Sequence, residues 1–153
     1  MKAMFRVRGE TQRINIADAL ARISYVKLSL DAEYDEAITA MRHCLKIRNK
    51  YAHSYWHNPQ QGKALCYVSV EDLARTDDFV SDLGPLTFFY LDQQLLDQQE
   101  AYFRYTDEML THVNYEGRLR AGKLKYHNVP LPERLEPPPL YTLKKEHTDL
   151  WPD

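Results

Sequence analysis

The alternation of apolar and polar positions along the chain predicts three long helices. From about Thr11 to Leu30, one stripe carries Ile14, Ala17, Leu20, Ile23 or Ser24, and Lys27 or Leu28 at helical spacing. Asp31 reads as the N-cap of a second helix, and Glu33, Asp35 and Glu36 complement the positive end of its dipole. Its stripe is Tyr34, Ile38, Met41, Leu45, Arg48, Ala52 and Tyr55, alternating steps of four and three. The helix is expected to fray between His53 and His57 and to stop before Pro59, because a residue preceding proline is disfavoured in the α region.

Asn58-Pro59-Gln60-Gln61-Gly62 predicts a turn, and Ala64 to Val70 has strand composition that can pair with Ser54 to His57 as a small hairpin. Asp82-Leu83-Gly84-Pro85 then opens the longest helix, with proline suited to a first helical position. Two columns at heptad spacing follow, Phe88, Leu95, Tyr102, Met109 and Phe89, Leu96, Phe103, Leu110, which predict core or a helix–helix interface. The helix ends near Gly117 or Gly122. Beyond Lys125 the prolines of Val129-Pro130-Leu131-Pro132 and Pro137-Pro138-Pro139 favour extended chain. The fold class expected is therefore all-α: an antiparallel helical bundle over 1–124 with a small β-hairpin insert, followed by a Pro-rich extended tail over 125–153.

At 153 residues the chain suits one domain, large enough to bury a core without a disulfide or metal staple. Cys44 and Cys66 are too few for a disulfide framework or a zinc site and read as small buried residues in a reducing, cytoplasmic setting. The N-terminus lacks the apolar stretch of a signal peptide, and no run approaches the length of a membrane span. A net charge of −2 argues against a protein that coats nucleic acid, but the charge is unevenly spread. From Ala37 to Val70 there is no acidic residue, while Arg42, Lys46, Arg48, Lys50 and Lys63 are basic; from Glu71 to Leu110, ten carboxylates face only Arg75 and Arg104. Such a basic segment either attracts an anion locally or packs against acidic helices.

Candidate chemistry lies at the end of the second helix, in Ile47-Arg48-Asn49-Lys50-Tyr51-Ala52-His53-Ser54-Tyr55-Trp56. Arg48 falls on the expected core stripe, where a guanidinium that cannot deprotonate needs a carboxylate, carbonyls or an incoming anion. His53 is i+4 from Asn49, and histidine moves protons near neutral pH. Arg48 and His53 would not share a face of an unbroken helix, so their convergence requires the helix to end between them or a second copy to supply one of the pair. Each has a bland alternative: His53 as a helix-end cation, Arg48 as the structural partner of a carboxylate, Tyr55 as a packed core residue.

Arg48-Asn49-x-x-x-His53, with Ala52 before the histidine and Tyr55 two beyond it, resembles the Arg-x(4–6)-His motif of HEPN domains (higher eukaryotes and prokaryotes nucleotide-binding). The specific match covers about twenty residues. The resemblance implies an all-α bundle, usually a homodimer, and in many members a metal-independent endoribonuclease acting as a toxin or defence effector. Carried over, Arg48 and His53 are the catalytic pair and Asn49 the polar residue after the arginine. Tyr55 completes the pattern of a subgroup whose nucleotidyltransferase antitoxin adenylylates that tyrosine. The strand-like insert and the Pro-rich tail depart from the minimal toxins. In such a reaction His53 would transfer a proton, Arg48 would hold the phosphorane charge, and the product would carry a 2′,3′-cyclic phosphate. Lys46 and Lys50 are candidates for the RNA backbone, and Tyr51 or Trp56 for stacking a base. No metal or cofactor is expected. The competing expectation is a non-catalytic dimeric module that binds nucleotide, RNA or protein.

Overall fold

The computed structural model describes residues 9–57, 64–75 and 86–142. Its elements in chain order are α1 (Glu10–Lys27), α2 (Asp31–Ala52), β1 (Ser54–His57), β2 (Ala64–Ser69), α3 (Val70–Arg75), β3 (Phe89–Asp92) and α4 (Gln93–Arg120). The expected turn at 58–62 and the expected helix start at Pro85 lie outside the described residues, as does the tail beyond Thr142. The chain divides into two compact units, one within Met1–Leu45 and Ala101–Pro137, the other within Lys46–Glu100 and Pro138–Asp153.

The first unit is helical. Tyr34, Ala37, Ile38, Ala40 and Cys44 of α2 bury against Tyr102, Tyr105, Met109 and Val113 of α4 in one cluster. The alanines remove side-chain bulk where tyrosine rings fill the space, and the tyrosines bury large apolar area with a polar tip. Tyr105 donates its hydroxyl to Glu36 Oε1 at 3.0 Å, which satisfies that tip. The helix α1 contributes Tyr25, stacked on Tyr34 with ring centroids 4.4 Å apart. Gly117 of α4 lets that ring approach: a Cβ built there would come 2.9 Å from Tyr25 Cε1.

The stripe expected on α1 is only half realised. Ile14 and Ala17 are half-buried, but Leu20 is 73 % exposed, and Ile23 and Val26 are exposed as well. In their place Asp18 is buried between Arg22, whose Nε donates at 3.0 Å, and Arg42, whose Nη2 donates at 2.8 Å. Arg22 also reaches Asp35. Part of the basic segment thus has a structural role, since Arg42 neutralises a carboxylate on a neighbouring helix.

Both long helix ends close by backbone geometry. After α1, Ser29 adopts φ 55° and Leu30 N–H donates to Tyr25 C=O at 3.0 Å. After α4, Gly122 at φ 69° takes the left-handed position, and Lys123 N–H donates to Arg118 C=O at 2.8 Å, the pattern of a glycine-terminated helix. Gly122, not Gly117, is the stop. The extended chain beyond it is anchored: His127 Nε2 lies 2.8 Å from Glu116 Oε2, and Val129 N–H donates to His127 Nδ1 at 3.2 Å.

The second unit overturns the all-α expectation. It contains a three-stranded antiparallel sheet in the order β1-β2-β3. The hairpin forms as expected, with Ser54 opposite Ser69 and Trp56 opposite Tyr67. The third strand takes the place of the expected first turn of the long helix. Phe88-Phe89-Tyr90-Leu91 fits a heptad column, but aromatic residues also suit a pleated surface, and β2 offers hydrogen-bonding groups. Phe89 pairs with Tyr67 and Leu91 with Leu65. The helix begins only after Asp92, whose Oδ1 accepts from Leu95 N–H at 2.8 Å as an N-cap. Thr142 pairs with Tyr90 by two backbone bonds of 3.0 and 3.1 Å, so the Pro-rich segment ends tied to the sheet.

The buried stripe of α2 also differs by one residue from the one expected. Cys44 and Ile47 are buried, whereas Arg48 is exposed. Two adjacent stripes of the helix satisfy the 3.6-residue period, and the one chosen by Leu45 is not the one that packs. Among the described residues, no helix is long and apolar enough to cross a membrane.

Two outcomes follow from this packing. Ile47→Ala is expected to cost about 2–5 kcal/mol by chemical denaturation, because it opens a cavity, while Arg48→Ala stays within about 0.5 kcal/mol. Arg120 and then His127 hold the Glu116 carboxyl below the usual carboxylate range. A carboxyl lowered in the folded state stabilises above its unfolded pKa, and that contribution disappears as pH falls through the folded value. Thermal unfolding followed from pH 6 to pH 3 should therefore show a shallower acid loss in Glu116→Gln than in the wild type.

Candidate functional site

The last two turns of α2 present a polar stripe. Lys46, Asn49, Lys50 and His53 recur at i, i+3, i+4 and i+7, which places them on one face of a helix. The helical turn extends to the end of that set, because His53 N–H still donates to Asn49 C=O at 3.1 Å. All four line a cleft of about 320 Å³ in the second unit. Arg48 lies two residues from Lys46, roughly 200° around the helix, so it belongs to another face. Its Nη1 donates to Asn49 Oδ1 at 3.0 Å, and it is not part of the cleft wall.

The sheet supplies the opposite wall. Ser54 and Ser69 sit across from each other at one end of the hairpin, and both line the cleft with Tyr67 and Glu71. Ser54 Oγ–H donates to Lys50 C=O, closing the helix end onto the strand. Glu71 N–H donates to Ser69 Oγ at 3.2 Å. Because side chains alternate along a strand, Tyr67 and Ser69 share one face, while Tyr55 points to the other side of β1 from Ser54 and Trp56. Tyr55 is 64 % exposed there.

Among the described residues, Phe89 and Leu140 complete the lining. Lys50 Nζ lies 4.9 Å from the Phe89 ring centroid and 5.3 Å from that of Tyr141, a cation held against two π-faces. The segment carrying Leu140 and Tyr141 is fixed by Gln99, whose buried amide donates to Pro139 C=O at 2.8 Å and accepts from the Tyr51 hydroxyl. Burial pushes the Tyr51 hydroxyl up to about 12, against the opposing effect of that bond. The two residues expected to stack a base sit in this aromatic group: the Tyr51 and Trp56 rings are 5.3 Å apart, and Trp56 Nε1–H donates to Tyr51 C=O at 3.3 Å. Neither lines the cleft, where Tyr67 and Phe89 supply the aromatic surface.

Tyr67 is the residue whose state is hardest to explain by packing alone. Its side chain is 1 % exposed and its hydroxyl has no hydrogen-bond partner among the described residues. Burial is the first cause that pushes its phenol upward, so it stays a neutral donor. A buried unpaired hydroxyl typically costs about 1–3 kcal/mol.

Among the described residues, no group of three or more His, Cys, Asp or Glu side chains is placed to hold a metal ion. The arrangement as it stands can bind an anion through two ammonium groups and transfer a proton through His53. Of the motif residues, Asn49 and His53 line the cleft and Arg48 does not. Tyr67, Ser69 and Glu71 escape the motif, although strand alternation from Tyr67 groups the first two. Phe89 is hidden by the helical pattern of its segment. Comparison with family models, with curated proteins and with solved structures finds no match to this chain.

Replacing Tyr67 by Phe is expected to raise stability by about 1 kcal/mol, measured by chemical denaturation, because the unpaired hydroxyl is removed without loss of ring packing. A loss of stability instead would mean that the hydroxyl is satisfied in the folded protein.

Proposed function

We propose that the cleft binds an RNA phosphodiester and cleaves it without a metal ion, in the manner of the HEPN endoribonucleases that the motif resembles. The observation that carries this reading is the stripe Lys46, Asn49, Lys50, His53 along one cleft wall. In-line attack by a ribose 2′-hydroxyl requires that proton to be removed, the leaving 5′-oxygen to be protonated, and the phosphorane charge to be held. His53 serves proton transfer, and Lys46 and Lys50 hold the charge. Glu71, on α3, also lines the cleft and gives a single chain a second acid–base side chain there. The products are a 2′,3′-cyclic phosphate and a 5′-hydroxyl.

The position of Arg48 favours a second reading. With its guanidinium off the wall, the cleft has lost the bidentate phosphate clamp that the motif implies, which suits a non-catalytic module binding nucleotide, RNA or protein. Two further parts of the resemblance are proposals of the same kind: a homodimer, tested by sedimentation, and adenylylation of the exposed Tyr55, tested by intact mass after co-expression with a neighbouring nucleotidyltransferase.

Purified protein with RNA and EDTA separates the two readings. The nuclease reading expects cleavage to cyclic-phosphate ends, lost by at least about 100-fold in His53→Ala with the fold intact. It also expects Lys50→Ala to be more harmful than Arg48→Ala. RNA binding without cleavage supports the non-catalytic module, and loss of cleavage in Arg48→Ala equal to that in His53→Ala would overturn the assignment of this wall.

A further inference from the structure

A second concave surface lies in the first unit, a groove of about 440 Å³ bounded by the last turns of α1 and α4. Among the described residues Lys27, Arg118 and Lys123 line it, and no carboxylate does. The ordinary reason for cations at helix ends is to complement the negative end of the dipole and satisfy the last carbonyls. Here backbone N–H groups already meet the last carbonyls of both helices, from Leu28, Ser29 and Leu30 after α1 and from Ala121, Gly122 and Lys123 after α4, and Arg120 binds the carbonyls just beyond α1. Its Nη1 donates to Leu28 C=O at 3.0 Å and to Ser29 C=O at 2.6 Å, and its Nε donates to Glu116 at 2.7 Å. Lys27 and Lys123 have no carboxylate partner among the described residues, and Arg118 has only the Tyr115 ring, 5.9 Å from its guanidinium carbon. Three positive groups around one groove repel each other, and an anion from solution relieves that repulsion.

The other wall residues suit such a ligand. Ser24 and Asn114 supply a hydroxyl and an amide, while Ala21, Leu28 and Tyr25 supply apolar surface. We infer that this groove binds an oligophosphate group, free or at the end of a nucleotide. This site is separate from the cleft at His53 and does not rest on the nuclease reading. Three dispersed cations match a chain of linked phosphates better than a single carboxylate, and the groove exceeds the room one phosphate needs.

Calorimetric titration of the full chain with tripolyphosphate, ATP and adenosine, without divalent cations, tests the inference. Tripolyphosphate is expected to bind, and Lys27→Gln, Arg118→Gln and Lys123→Gln are each expected to weaken it by tenfold or more. Arg75→Gln, on α3 and lining neither cleft, is expected to leave it unchanged. Circular dichroism identifies any variant that fails to fold, and Lys123→Gln, beyond the helix, keeps the test open if the two helical variants do. Tighter binding of ATP than of tripolyphosphate assigns a nucleotide, and equal binding assigns free oligophosphate. No binding of tripolyphosphate at millimolar concentration, binding indifferent to the three groove variants, binding lost in Arg75→Gln, or adenosine binding as tightly as ATP would each overturn the inference.

Discussion

In the first unit, the packing of α2 against α4 sets the phase of the helix. Ala37 and Ala40 are fully buried beside Tyr102 and Tyr105, and no rotation of α2 would keep both alanines against those rings. A helix advances about 100° per residue, so one residue of slip would turn the buried stripe toward solvent. In the second unit, the burial of Ile47 marks which side of the last turns of α2 is left for the site. Lys46, Asn49, Lys50 and His53 fall on one stripe, and Arg48 falls outside it.

That constraint separates what is legible in the sequence from what is not. Helical spacing, the acidic first turn at Asp31 and Glu33, and Gly122 as a stop are local signals, and α1, α2 and the end of α4 lie close to where they point, whereas the start of α4 does not. The hairpin is equally legible from composition and the proline-containing break. The phase of α2 is not, because Leu45 and Arg48 fit the period as well as Cys44 and Ile47; only the partner helix chooses between them. The strand at Phe89–Asp92 shows the same ambiguity in another form. Four apolar residues in a row suit the start of a buried helix or a central strand, and a free sheet edge decides the matter through contacts distant in sequence.

The sheet then does what a helix end alone could not. Trp56, Tyr67 and Phe89 are cross-strand neighbours on one face, and the last turn of α2 covers them through Tyr51 and Lys50. Gln99 joins Tyr51 to the Pro-rich segment, which bonds to β3 at Tyr90. The prolines, with fixed φ and few donors, give a segment that can be held by its carbonyls alone, and Gln99 uses two of them. One side of the cleft is therefore built from long-range contacts, which is why its residues leave no local motif.

The identity of the cations on the cleft wall bears on what the site can select. An arginine grips two phosphate oxygens in a fixed fork, whereas a lysine acts as a compact charge on a flexible stem. Lys50 is the exception, because the rings of Phe89 and Tyr141 restrict where its ammonium can go. An anion drawn toward that ammonium also approaches the stripe that ends in His53. Any preference of this wall among anions would then come from one restrained ammonium, and not from the arginine that the motif alone singles out.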